Sequence, residues 1–189
     1  MNGNAVLVRR APRVVAARQR RPAPPPTARE GVRLRAGTAA DAPAIHALIE
    51  KHLLEGHLLR RSRSELRTHA PRFVVAVARD QSASGTECLI GCAELAPLSD
   101  NVAEVRSLVV DRSARALGIG RRLVDALRRA AARQEFGKLC AFTHNAEYFV
   151  QKGFSIVPHE SVPEKIARDC RECALFGRCG QHAVVLSLE

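Results

Sequence analysis

The chain has no tryptophan, one tyrosine and one methionine, and aromatic residues make up 4% of it. Its core must therefore be aliphatic, and there is little material for an aromatic platform that stacks single-stranded nucleic acid. Lysine is also scarce, at positions 51, 138, 152 and 165 only, with arginine nearly everywhere else. That bias fits coding preference better than a surface shaped for nucleic acid. No apolar run approaches the roughly 20 residues of a membrane helix. Nor does an apolar stretch with a cleavage site mark a signal peptide. A cytoplasmic, reduced setting is the expectation, and with it free thiols rather than disulfides.

What is present is 189 residues, 46% hydrophobic and 26% charged, with a net charge of +11. Residues 1–30 hold seven arginines against one acid, together with Pro24, Pro25 and Pro26. More than half of the net charge thus sits in a stretch that reads as a disordered tail. A single folded domain over 31–189 is expected. "VRLRA" from Val32 alternates as a strand. Thr38 and Asp41 form a capping box before a helix carrying Ile45, Leu48, Ile49 and Leu53, closed by Gly56. Ser62 and Glu65 form a second box. Three strands follow, over 72–80, 87–98 and 103–110, as an antiparallel meander with polar turns. A helix from Ile119 to Phe136, closed by Gly137, leads to a strand over 138–143. Strand, long helix, strand is a crossover, so part of the sheet is parallel. A short helix over 146–152 and strands near 155 and 182–188 complete an α/β (α+β) fold.

Between the 103–110 strand and the long helix lies "RALGIG", Arg115 to Gly120. A glycine-rich turn feeding a helix offers unpaired N–H groups and the positive end of the helix dipole, about half a charge. Such a turn cradles phosphate oxygens. G-x-G-x-x-G does not fit, because position 123 is Leu, and no P-loop Lys-Ser/Thr follows.

Arg115-Ala116-Leu117-Gly118-Ile119-Gly120 resembles the R-x-x-G-x-G/A signature of the GNAT superfamily of acetyl-CoA-dependent N-acetyltransferases. "LVVD" before it and "YFVQKGF" (Tyr148 to Phe154) after it are similar to that family's flanking elements. The resemblance runs from about Val32 to Leu188. It implies a mixed central sheet with flanking helices, whose splayed strands leave a cleft for acetyl-CoA as co-substrate. On that pattern Leu108, Val109 and Val110 supply backbone contacts to the pantetheine arm. Arg115, Ala116, Leu117, Gly118, Ile119 and Gly120 hold the diphosphate, and Asn145 is a further coenzyme contact. Phe149 stands at the coenzyme where many such enzymes carry a tyrosine acid; Tyr148 lies one residue off.

By strand alternation Glu104, Arg106, Leu108 and Val110 share one face. Two charges beside apolar neighbours are costly to bury without purpose. They either pair at a solvated strand end or line the cleft. The resemblance places a general base at Glu104, and the planar fork of Arg106 suits a substrate carboxylate. "GHLLRRS", "EVRSLVV" and "VPEKIARDCRECALFGRC" resemble the short, stand-alone N-acetylglutamate synthases. These make N-acetylglutamate for arginine biosynthesis from acetyl-CoA and L-glutamate. Arg61 and Arg106 then anchor carboxylates, Ser62 donates a hydrogen bond, and His144 lies near the amine or a carboxylate. Where the resemblance leads to expect a proline before Arg61-Ser62, Arg60 stands.

Cys170, Cys173, Cys179 and His182 are too closely spaced for a usual zinc site. The three cysteines read as buried structural thiols and His182 as the start of a strand, with no metal expected. Cys88 and Cys92, four apart on a strand, read as packing on one face. The alternatives are a GNAT enzyme for another amine and, from a different class, a basic nucleic-acid-binding module. No membrane partner is expected, and a homodimer is left open.

Overall fold

The computed structural model describes residues 31–55, 58–79 and 87–188. The expected tail over 1–30, the helix stop at Gly56 and the turn over 81–86 lie outside the described residues. Seven strands form one sheet: β1 (Val32–Ala36), β2 (Phe73–Arg79), β3 (Glu87–Pro97), β4 (Val102–Val110), β5 (Lys138–Thr143), β6 (Ser155–Val157) and β7 (His182–Ser187). Their order is β1-β2-β3-β4-β5-β7-β6. The first four are an antiparallel meander, and β4 and β5 run parallel, as expected.

The helices packed on the sheet include α1 (Ala42–His52), α2 (Arg63–His69), α3 (Ile119–Arg133) and α4 (Ala146–Val150). Thr38 and Asp41 close the expected capping box ahead of α1. α3 packs Ile119, Leu123, Val124, Leu127 and Ala131 onto one sheet face, together with Ala76, Ala93, Val105 and Phe149. α1 and α2 cover the other face through Ile45, Leu48, Ile49 and Leu66 against Val75, Val77, Cys92 and Val109. α3 stops at Arg133, and Glu135 takes the left-handed position (φ 61°) rather than Gly137.

Two bulges correct the simple alternation. In β4, Glu94 pairs with Arg106 but Cys92 pairs with Val109, so β4 carries one extra residue. Ser107 absorbs it at φ 49°. The extra residue reverses the pattern beyond it. Val109 therefore joins Glu104 and Arg106 on the α1–α2 side, while Leu108 and Val110 turn to the α3 side. In β3, Ala76 pairs with Gly91 but Val77 pairs with Leu89. That shift separates Cys88, which is exposed, from buried Cys92, so the two do not share a face.

Candidate active site

β4 and β5 pair over three rungs only, Val102 with Lys138, Ala103 with Leu139 and Glu104 with Cys140. Beyond Glu104 the strands diverge. Among the described residues no strand pairs β4 on that side from Val105 to Val110, which leaves backbone groups able to bind an extended ligand. Glu104 stands at the apex of this opening.

At its far end the turn into α3 puts two left-handed residues within three, Ala116 at φ 66° and Gly118 at φ 72°. For alanine that conformation costs about 1–2 kcal/mol. Alternating handedness aims successive N–H groups into one concavity. Arg122 N–H reaches the Gly118 carbonyl (3.1 Å), so the N–H groups before it are the helix's unpaired ones. Nothing lies within 4 Å of where a Gly118 side chain would begin. A Cβ on Gly120, by contrast, would meet the Tyr148 hydroxyl at 2.7 Å. Leu117 and Ile119 complete the turn, with Ile119 itself buried under α3.

Arg115 is braced at the edge of this concavity, its side chain 46% exposed. Its Nη2 donates to Glu55 Oε2 (2.7 Å) and its Nε to the Val110 carbonyl (3.2 Å). It fastens the turn to β4 and to the end of α1. His52, then Arg115 and Arg112, hold the Glu55 carboxyl down at about 2. Phe149 is placed in the core. It is buried against Phe154 and Tyr148, with ring centroids 5.2 and 5.3 Å away, so core packing accounts for it. Tyr148 carries the only phenol of the chain, and its hydroxyl is buried without a hydrogen-bond partner. Burial, and then Asp125, push it up to about 12, so it stays protonated at neutral pH. Asn145 caps α4, accepting from Tyr148 N–H at 3.2 Å.

Glu104 and Arg106 do share a face, and they pair directly. Glu104 is 3% exposed. Its carboxylate also accepts from Lys165 Nζ at 2.8 and 2.9 Å. The Arg106 guanidinium donates to Asp169 as well, and Lys165 reaches Asp169 Oδ2 at 2.9 Å. Burial disfavours the Arg106 charge, yet Glu104 and Asp169 outweigh it and raise its proton affinity. Lys165 and Asp169 come from the distant helical segment Pro163–Lys165 and its π-helical continuation Ile166–Cys170. Neither residue was among those expected at the site. Their spacing of four, which pairs opposite charges on a helix, was the available signal.

Arg61 and Ser62 stand at the start of α2, where both make internal contacts. Arg61 is 8% exposed. It donates to Glu65 (2.8 Å), to Glu94 (2.9 Å) and to Ser107 Oγ (3.1 Å). Glu94, 1% exposed on β3, is thus a buried acid paired from within by Arg61. Ser62 caps α2, its Oγ accepting from Glu65 N–H at 3.2 Å. His144 is exposed on the loop before α4, near Gly180. Cys173 and Cys179 are exposed and Cys170 half-buried, contrary to the expectation of buried thiols. Among the described residues no group of three or more His, Cys, Asp or Glu side chains converges as metal ligands. No helix among them is long and apolar enough to cross a membrane.

Comparison with known proteins bears on this arrangement. The chain is 33% identical over 149 residues to an uncharacterised N-acetyltransferase of Chlorobaculum tepidum, covering 79% of this chain and 92% of that one. It is 30% identical over 142 residues to the amino-acid acetyltransferase of Neisseria meningitidis, covering 74% of this chain and 31% of that one. Its fold matches the N-acetylglutamate synthase of Neisseria gonorrhoeae complexed with coenzyme A and N-acetyl-glutamate. There the TM-score is 0.71 at 28% identity, over 84% of this chain and 35% of that one. The chain thus spans about a third of the length of these two Neisseria proteins. Residues 41–154 match the model of the acetyltransferase (GNAT) family. By that match and by the split sheet and left-handed turn that carry it, the chain belongs to the GNAT family and is an N-acetyltransferase.

Proposed function

We propose that this enzyme transfers the acetyl group of acetyl-CoA to the α-amine of L-glutamate, giving N-acetylglutamate and CoA. The observation that carries the reading is the opening between β4 and β5, with the left-handed turn at one end and the Glu104–Arg106–Lys165 cluster at its apex. The amino-acid acetyltransferase relatives point to the substrate class. A role in arginine biosynthesis in the cytoplasm follows from the same reading.

The coenzyme diphosphate rests on the N–H groups of the Ala116–Gly120 turn, where aligned peptide dipoles favour an anion. The pantetheine arm lies along the unpaired edge of β4, bonded to Leu108, Val109 and Val110 backbone groups. This brings the thioester towards Glu104. The amine must be neutral to attack, and Glu104 takes its proton directly or through water. The amine lone pair then forms the C–N bond at the thioester carbon, and the nitrogen gives up its second proton to water as the tetrahedral intermediate collapses. A β4 N–H receives the developing oxyanion, and the C–S bond breaks. The CoA thiolate leaves with the electron pair and is protonated from solvent or from the Tyr148 phenol. Two cations beside the base favour a substrate that brings carboxylates, and disfavour polyamines.

The test is thiol release from acetyl-CoA with a panel of L-glutamate, L-glutamine, spermidine and a lysine peptide. Glutamate well above the rest supports the reading. Release with another amine and none with glutamate replaces it by a different N-acetyltransferase.

A further inference from the structure

We infer that Arg106 and Lys165 form the anchor for the substrate's α-carboxylate, and that Asp169 holds that position until substrate displaces it. The inference rests on the amino-acid reading above and narrows it to the group that is recognised. Three observations carry it. First, the cluster is neutral only with Asp169 in place. Arg106 and Lys165 bring two positive charges and Glu104 one negative, so one more carboxylate is needed in a half-buried site. Secondly, Asp169 is the outermost member. Its side chain is 31% exposed, against 4% for Glu104, 13% for Lys165 and 21% for Arg106. Both cations meet the same oxygen, Oδ2. A change of rotamer therefore carries Asp169 into water while the other three stay put. Thirdly, Asp169 sits on a π-helical turn, in which Arg171 N–H reaches back to the Ile166 carbonyl (3.3 Å). Such turns are rare and concentrate at functional sites.

A substrate carboxylate that exchanges for Asp169 keeps the cluster neutral. An amine one carbon away from it then lies beside Glu104, which Lys165 holds at 2.8 Å. The preferred class is thus an α-amino acid, and an amine without an adjacent carboxylate leaves the site one charge short.

The probe is N-acetylglycine, the smallest product that keeps the α-carboxylate and lacks the glutamate side chain. It is titrated calorimetrically into the full chain with CoA present. Asp169→Asn should bind it about three- to fivefold more tightly than the parent chain, because an ion pair at a partly exposed edge no longer competes. Lys165→Met should bind it about tenfold more weakly. Asp169→Ser serves should the asparagine variant not fold. Equal or weaker binding by the Asp169 variants, or no binding by any protein, overturns the inference. Absence of thiol release with glutamate retires the glutamate reading alone, because N-acetylglycine does not depend on it.

Discussion

Replacing Gly120 by alanine tests the packing at the mouth of α3 quantitatively. The new Cβ would lie 2.7 Å from the Tyr148 hydroxyl, closer than carbon and oxygen tolerate. The ring has little room to yield. Lys152 Nζ sits 3.4 Å above its centroid, and Phe149 meets it edge-on. Overpacking of this kind costs about 1–3 kcal/mol. Against it stands a gain of about 0.5–1 kcal/mol from alanine in a helix. Tyr148→Phe removes only a hydroxyl that has no partner, which should be nearly neutral. In the double variant the nearest ring atom is Cζ at 3.6 Å, an ordinary contact. Gly120→Ala should therefore destabilise by about 1–2 kcal/mol alone, and stabilise slightly in the Tyr148→Phe background. The coupling energy is then about 1–3 kcal/mol. Urea denaturation of the four proteins without coenzyme measures it. A coupling below about 0.5 kcal/mol would refute the contact as the reason for glycine at this position.

Other expectations follow from the same geometry. Arg61→Ala should cost about 3–5 kcal/mol by stranding buried Glu94, and Glu94→Gln should restore part of it in urea denaturation. A raised KM for glutamate without loss of stability would instead make Arg61 a substrate anchor. Burial pushes the Cys140 thiol up to about 12, and Cys92 is likewise raised. Native protein at pH 8 should therefore be alkylated at exposed Cys88, Cys173 and Cys179 and spare these two, as peptide mapping will read. Glu55 has its carboxyl depressed from 4.5 to about 2. Its contribution to stability is complete above pH 4.5 and fades as pH falls towards 2. Glu55→Gln should lower the melting midpoint at pH 7, and the difference from the parent should shrink on acidification. A constant difference would contradict the assignment.

Much of the fold could be read from local pattern. β2 to β5 fall within about two residues of the apolar alternation that marks them, and the R-x-x-G-x-G turn announces both the helix start and the opening beside it. The bulges could not be read so. Ser107 adopts a left-handed backbone that serine does not advertise, and its single extra residue moves Val109 to the other face. β7 inserts between β5 and β6 because its apolar run Ala183–Val184 reaches the core, a matter of long-range pairing. At the site, Glu104 and Arg106 stood out as charges in an apolar strand. Glu94 carried the same signal in β3. Arg61 looked available because its internal partners, Glu94 and Ser107, lie 33 and 46 residues away. Lys165 and Asp169 lie 61 and 63 residues from their partners on β4. Charge neutralisation across such spans is decided by folding, and no local spacing encodes it.

Acetyl transfer to an α-amino dicarboxylate is the step to measure. It is tested most directly by steady-state kinetics with acetyl-CoA, comparing kcat/KM for L-glutamate with that for 4-aminobutyrate, which is glutamate without its α-carboxylate. Glutamate is expected to be preferred by about a hundredfold or more, the value of a charged hydrogen-bonding partner left unmatched. Equal rates with the two amines would contradict it.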